Sequence, residues 1–251
     1  MKNLLLALLM ATCMFSIQVS ITGCEDKTDD DLCNESSDSE AQTYTPSNDY
    51  LVKGRILTLG GLGSCADVRI TKNGEDVSDA LVIINTDTIP YSFGTYQSSG
   101  TTLSSANKYM LTITHEGNTV ATGTARVPSD VPTITNLDSG DVHQKDSNLT
   151  VEWNALCNIT SYQLKVNRSF SGEIYSSDFL NTSTSNYELP GSIFSSGDNT
   201  EYTIQLNAIN GLYPGDESAS DEEPELGYEI EGPKGYFIGL SQTEVKIYVP
   251  D

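Results

Sequence analysis

From Tyr50 onward, apolar residues recur at every second position in short runs, and turn residues separate the runs. Tyr50 to Leu59, Val68 to Lys72, Ala80 to Asn85, Lys108 to Thr114 and Thr119 to Val127 read as strands, because period-two alternation puts every other side chain on one face of a pleated sheet. Asn73-Gly74 follows the second run and is the dipeptide that best tolerates the positive φ of a two-residue hairpin. Glu116-Gly117-Asn118 marks the turn between the last two. Pro128 and Pro132 then interrupt pairing, since proline lacks the amide donor a central strand needs. Beyond them Leu149 to Trp153, Tyr162 to Val166 and Tyr202 to Gly211 alternate again, with Tyr202, Ile204, Leu206 and Ala208 sharing one face. No segment sustains apolar spacing at the helical period. The pattern predicts an all-β chain of two tandem β-sandwich units, residues 49–128 and 129–251.

The first 48 residues follow a different rule. Met1-Lys2-Asn3 carries one positive charge, and Leu4 to Met14 is an apolar run of the length of a secretory signal's core. Gln18, Ser20 and Thr22 interrupt it well short of the roughly 20 apolar residues of a membrane span. The run ends at Ile21-Thr22-Gly23-Cys24, which resembles the lipobox of bacterial lipoproteins: an aliphatic residue, two small ones, then the cysteine that receives lipid. The resemblance implies a signal peptide over residues 1–23 and lipid attachment at Cys24. Each buried CH₂ of an acyl chain contributes about 0.8 kcal/mol, so several chains on one cysteine make release from the bilayer negligible. Behind Cys24 the acidic stretch Glu25-Asp26-Lys27-Thr28-Asp29-Asp30-Asp31 reads, with residues up to 48, as a disordered tether. It is similar to the acidic export signal of Bacteroidetes-type surface lipoproteins, which implies an outer-membrane location with display at the cell surface.

Charge narrows the partners. The chain has 13 basic and 35 acidic residues. The signal removes only Lys2, so the mature chain has 12 against 35, a net −23. Such a surface repels nucleic acid and anionic lipid alike, leaving the lipid anchor as the membrane contact and a protein or glycan as the expected partner. Cys33, Cys65 and Cys157 remain after Cys13 in the signal and Cys24. An oxidising compartment permits one disulfide with one thiol left over, and the sequence does not choose among the three pairings.

Val77-Ser78-Asp79-Ala80-Leu81-Val82-Ile83-Ile84 and Tyr109-Met110-Leu111-Thr112-Ile113 are similar to two strands of carboxypeptidase-regulatory-like (transthyretin-like) sandwiches. Leu149-Thr150-Val151-Glu152-Trp153, Tyr162 to Val166 and Tyr202 to Gly211 resemble the fibronectin type III domain, an immunoglobulin-like sandwich, with Trp153 as its core tryptophan and Tyr202 as the tyrosine before its F strand. One departure stands out: about 25 residues separate Asn210 from Gly235, where that family has a short loop. Gly235 to Gly239 and Val245 to Pro250 resemble the C-termini of two-domain Bacteroidetes surface lipoproteins of uncharacterised role.

Few residues offer chemistry. Gly61-Leu62-Gly63-Ser64-Cys65-Ala66 matches a dinucleotide fingerprint in letters, but that motif opens a helix and here a strand follows. His115 and His143 lack metal-ligand spacing and read as solvated turn residues. No cofactor, metal centre or catalytic set is expected. The long connection carries Asp216, Glu217, Asp221, Glu222, Glu223 and Glu225, a solvated acidic loop on the partner-facing edge; its carboxylates are the only candidate ligands for Ca²⁺, at a spacing unlike an EF-hand. The leading function is therefore an interaction or structural lipoprotein without enzymatic activity. A glycan-binding accessory lipoprotein is the alternative, and would need exposed aromatics among Trp153, Tyr162, Tyr187 and Tyr202. A hydrolase on a sandwich scaffold is the third reading, and would need two carboxylates converging in a cleft.

Overall fold

The computed structural model describes residues 42–58, 64–98, 103, 108–195, 200–211 and 226–250. Their first half holds β1 (Thr43–Tyr44), β2 (Tyr50–Thr58), β3 (Ser64–Lys72), β4 (Glu75–Asp76), β5 (Leu81–Ile84), β6 (Asp87–Ile89), β7 (Tyr91–Ser92), β8 (Thr95–Gln97), β9 (Lys108–His115) and β10 (Asn118–Arg126). There follow β11 (Asp141–Val142), β12 (Leu149–Glu152), β13 (Ser161–Arg168), β14 (Gly172–Ser176), β15 (Asn186–Leu189), β16 (Thr200–Asn210), β17 (Gly227–Tyr228), β18 (Ile230–Glu231) and β19 (Lys234–Val249). A single 3₁₀ turn, Gly191–Phe194, is the only helical element among the described residues. The fold is all-β, built as two sandwiches.

Alternation in sequence becomes alternation in burial. Tyr50, Val52 and Ile56 of β2 and Val68 and Ile70 of β3 point into the first core, while Arg55 and Arg69 face out. Asn73 and Gly74 take φ of 53° and 82° between β3 and β4, as the hairpin dipeptide requires. Two sheets close over this core, one running β19-β2-β3-β8-β7 and the other β18-β10-β9-β5-β6. The second core gathers Trp153, Tyr162, Leu164, Val166, Tyr202 and Ile204 with Val245, Ile247 and Val249. Its sheets are β14-β13-β16-β19 and the pair β12-β15, with Ile134 bridging to Trp153.

Strand β19 belongs to both. Its residues Lys234 to Ser241 run parallel to β2, and Gly239 to Val249 run antiparallel to β16, so one sheet continues from β14 to β7. Phe237 enters the first core while Val245, Ile247 and Val249 enter the second, all on the same face of the strand. The chain crosses that face between the sandwiches. A Cβ at Gly239 would run into the Arg126 carbonyl, and the buried Ser241 hydroxyl donates to the Asp130 carbonyl at 2.8 Å.

Three expectations change. Residues assigned to the second unit complete the first: Ile230 and Phe237 lie in its core, and β18 pairs with β10. The stretch after Asn210 therefore joins the two sandwiches: β16 ends in the second at Asn210, and Ile230 lies in the core of the first. The tether also ends earlier than residue 48. Strand β1 pairs with β17, Ser47 N–H donates to Gly232 O at 2.8 Å, and Asn48 Nδ2 donates to Val120 O at 2.8 Å. These bonds use backbone and amide groups, so low hydrophobicity gave no sign of them.

Candidate functional site

Cys24 and the loop carboxylates Asp216, Glu217, Asp221, Glu222, Glu223 and Glu225 lie outside the described residues, as does Gly60 to Gly63. The strand expected after the Gly-x-Gly stretch is β3. Cys157 is disulfide-bonded.

The aromatics that a sugar platform would have used are structural. Trp153 is 3% exposed, and Tyr162 and Tyr202 are fully buried. The rings of Trp153 and Tyr162 meet edge to face at 5.5 Å, and Phe194 and Tyr202 do so at 5.3 Å. The Tyr162 hydroxyl accepts the Leu156 N–H. Tyr187 is half-buried at the edge of the same core, with its hydroxyl 2.6 Å from that of Tyr175. Burial, with Tyr187 next to it, pushes the Tyr175 phenol well above its ordinary value. Burial closes Trp153, Tyr162 and Tyr202 to a sugar.

His115 departs from expectation. Its side chain is only 10% exposed, because the imidazole is held at both nitrogens. The Tyr50 hydroxyl lies 2.7 Å from Nδ1, and Asp79 Oδ1 lies 3.0 Å from Nε2. With the carboxylate accepting from Nε2–H, the neutral ring accepts from Tyr50 at Nδ1. The chain of bonds ends in the core at Tyr50, 6% exposed, and so ties together β2, β9 and the segment before β5. Its position beside a Glu-Gly turn suggested solvent; the partners 65 and 36 residues away were invisible to local reading. His143 is likewise only half-exposed, packed on Phe194 at 4.8 Å.

A surface feature does gather in one place. At the end of the second sandwich, Glu201 of β16 pairs with Tyr248 of β19, which pairs with Val142 of β11. Ser169 N–H donates to the Glu201 carbonyl at 3.1 Å, extending that rung to the β13–β14 turn. Phe170, next in the chain, is fully exposed; Val142 is 72% and Tyr248 41% exposed. Glu201 is fixed beneath them by Lys246 Nζ at 3.0 Å and by the Tyr248 hydroxyl, which donates at 3.0 Å. The hydrogen bond from Lys246 holds the Glu201 carboxyl below its ordinary value. Further down the same face, Gln205 Nε2 donates to Gln242 Oε1 at 3.1 Å and Gln242 Nε2 to Glu244 Oε1 at 2.6 Å. Burial raises Glu244 above its ordinary value. Hydrophobic spacing could not have found the exposed row, because its members lie on turns and on the outward side of strands.

No family model and no curated protein matches the chain. Among solved structures it is similar to the FN1-FN3 domains of chicken CNTN1, at 14% identity and a TM-score of 0.26, covering 84% of this chain and 66% of that one, just under two thirds. It is also similar to the fibronectin(III)-like modules of Clostridium thermocellum CbhA, at 15% identity and a TM-score of 0.27, covering 84% and 94%. A two-domain fibronectin type III segment of chicken tenascin follows at 11% identity and a TM-score of 0.25, covering 69% and 91%. At identities and TM-scores this low, the class rests on the strand order itself: an all-β protein of two sandwiches joined through a shared strand.

Proposed function

We propose that the chain is a lipoprotein held to the outer membrane through Cys24, displayed at the cell surface, and acting by contact with a partner without catalysing a reaction. One observation carries the contact reading. The chain enters at β1, which pairs through β17 with Tyr236 near the start of β19, whereas the exposed row stands at Tyr248, twelve residues along the same strand. At about 3.3 Å per residue the two places are about 40 Å apart. The exposed row therefore stands clear of the point where the chain enters at β1, free for a partner.

The shared strand supports the same reading, since a contact surface on a rigid support loses little freedom on binding. The anchor is tested by labelling cells with a fatty acid. The wild-type protein should take up label and Cys24→Ala should take up none and keep its signal segment. Equal labelling of the two would overturn the lipoprotein reading.

A further inference from the structure

We infer that the outward face of the sheet β14-β13-β16-β19, a ladder of amide side chains closed at one end by the exposed Tyr248, binds a neutral polysaccharide. This rests on the contact reading above and names the surface and the class of partner. Strand register sets Asn207 beside Gln242, Gln205 beside Glu244 and Glu201 beside Tyr248, with β13 on the other side of β16. At about 3.4 Å per residue and about 4.8 Å between strands, the three strands from Asn207 to Glu201 present a face of about 20 by 10 Å, room for several sugar rings.

The amides are held in fixed poses. Gln205 Nε2 donates to Asn207 Oδ1 at 2.9 Å and to Gln242 Oε1 at 3.1 Å, and Gln242 Nε2 donates to Glu244 Oε1 at 2.6 Å. Gln163, 5% exposed and paired with Asn207, donates to Ser176 Oγ at 3.0 Å. Gln205 Oε1 and Asn207 Nδ2, an acceptor and a donor, have no partner among the described residues. Sugar hydroxyls both donate and accept, so a row that offers both roles suits them, and a row already fixed loses little freedom on binding. Tyr248 supplies the apolar contact. It is 41% exposed and pinned by its hydroxyl, which donates to Glu201 at 3.0 Å, so a sugar can lay its C–H face on a ring that does not move.

Two features favour a polysaccharide over a protein. A protein interface keeps an apolar centre inside a polar rim. This face is the reverse, with amides at its centre and Phe170, Val142 and Ile174 at its margins, on the β13–β14 turn, on β11 and on the outer strand β14. Its charges also cancel locally. Lys165 is engaged with Glu173 at 2.9 Å and Lys246 with Glu201 at 3.0 Å, Arg168 at the margin donates to Ser171 Oγ at 3.1 Å, and burial pushes the Glu244 carboxyl above its ordinary value, toward the neutral form. A surface so balanced exerts little long-range pull on an anionic or a cationic partner, and its hydrogen-bonding groups suit an uncharged one.

The test is affinity electrophoresis of the full-length chain in detergent, through gels cast with dextran, mannan, unsubstituted xylan, galactan or barley β-glucan, or with anionic polygalacturonate. At least one neutral polysaccharide should retard the chain, with little change on added salt, since no ion pair forms. In that gel Tyr248→Ala and Gln205→Ala should each weaken the apparent Kd by about tenfold, and Gln205→Ala should melt as the wild type does. Tyr248→Phe keeps the ring and should keep the retardation; Met110→Ala, on the first sandwich, should change nothing. Retardation by polygalacturonate alone, retardation that Tyr248→Ala and Gln205→Ala both leave unchanged, or no retardation in any gel would overturn the inference. A benzoyl-phenylalanine photocrosslinker at 248 on intact cells separates this from the contact reading. A protein adduct there would overturn the polysaccharide and leave the contact reading standing, whereas neither adduct nor retardation would overturn both.

Discussion

The Tyr50 hydroxyl lies 2.7 Å from His115 Nδ1, joining the first residue of β2 to the last of β9 across the two sheets of the first sandwich. Asp79 takes the other nitrogen, so both ring positions are satisfied while the side chain is largely out of water. His115→Ala removes a partner from buried Tyr50 as well as two hydrogen bonds. It should lower stability by about 1–3 kcal/mol, the cost of an unsatisfied buried polar group. Urea melts of His115→Ala and Tyr50→Phe measure this. The Tyr50→Phe loss should be the smaller of the two, because that substitution leaves Asp79 bonded to the ring.

Trp153 is the one tryptophan of the chain and fills the second core against Tyr162. Trp153→Ala should cost about 3–5 kcal/mol, typical for deletion of a large buried aromatic. Native fluorescence should be blue-shifted and move to the red only on unfolding. An unchanged melt with solvent-exposed emission would put Trp153 on the surface.

Glu201 and Glu244 predict opposite responses to pH. Lys246 lowers the Glu201 value in the folded state, so its contribution to stability is present above the ordinary carboxylate range and is lost as pH falls through the folded value. Burial raises Glu244, so the folded state holds its proton more tightly. Its contribution is full below the ordinary value and is lost as pH rises through the raised one. At neutral pH Glu201→Gln should therefore destabilise, by under about 1 kcal/mol for a pair this near the surface. Glu244→Gln should stabilise. Both effects should fade in acid, and chemical denaturation at pH 3 and pH 7 separates them.

The sequence made the strands with clean alternation legible. Val68 to Lys72 extended to β3, Tyr162 to Val166 to β13, and Tyr202 to Gly211 matched β16 within two residues. Trp153 and Tyr202 took the core positions that alternation gives them. Gly235 to Gly239 and Val245 to Val249 belong to one strand, β19, which runs on through the polar stretch Ser241-Gln242-Thr243-Glu244. Those residues sit where the sandwiches meet, with Ser241 bonded to Asp130 and Gln242 to its amide neighbours, so polarity there reflects side-chain partners and not a turn. Short strands such as β6, β7 and β15 were missed because two to four residues carry too little periodicity to register. The exposed row at Tyr248 was illegible for a related reason: its members are brought together by pairing between strands far apart in the chain.

Strand β19 also fixes an order of events. Protein domains made early in a chain ordinarily fold as units before later ones are finished. Here the first sandwich, whose strands β2 to β10 are complete by Arg126, lacks its Ile230 and Phe237 core residues and the β19 partner of β2 until residues 230–241 have been made. Its last piece arrives only after nearly all of the second sandwich has been synthesised. The two halves must therefore finish together, each held open by the same late strand, and a chain shortened by its final twenty residues loses a strand from both at once.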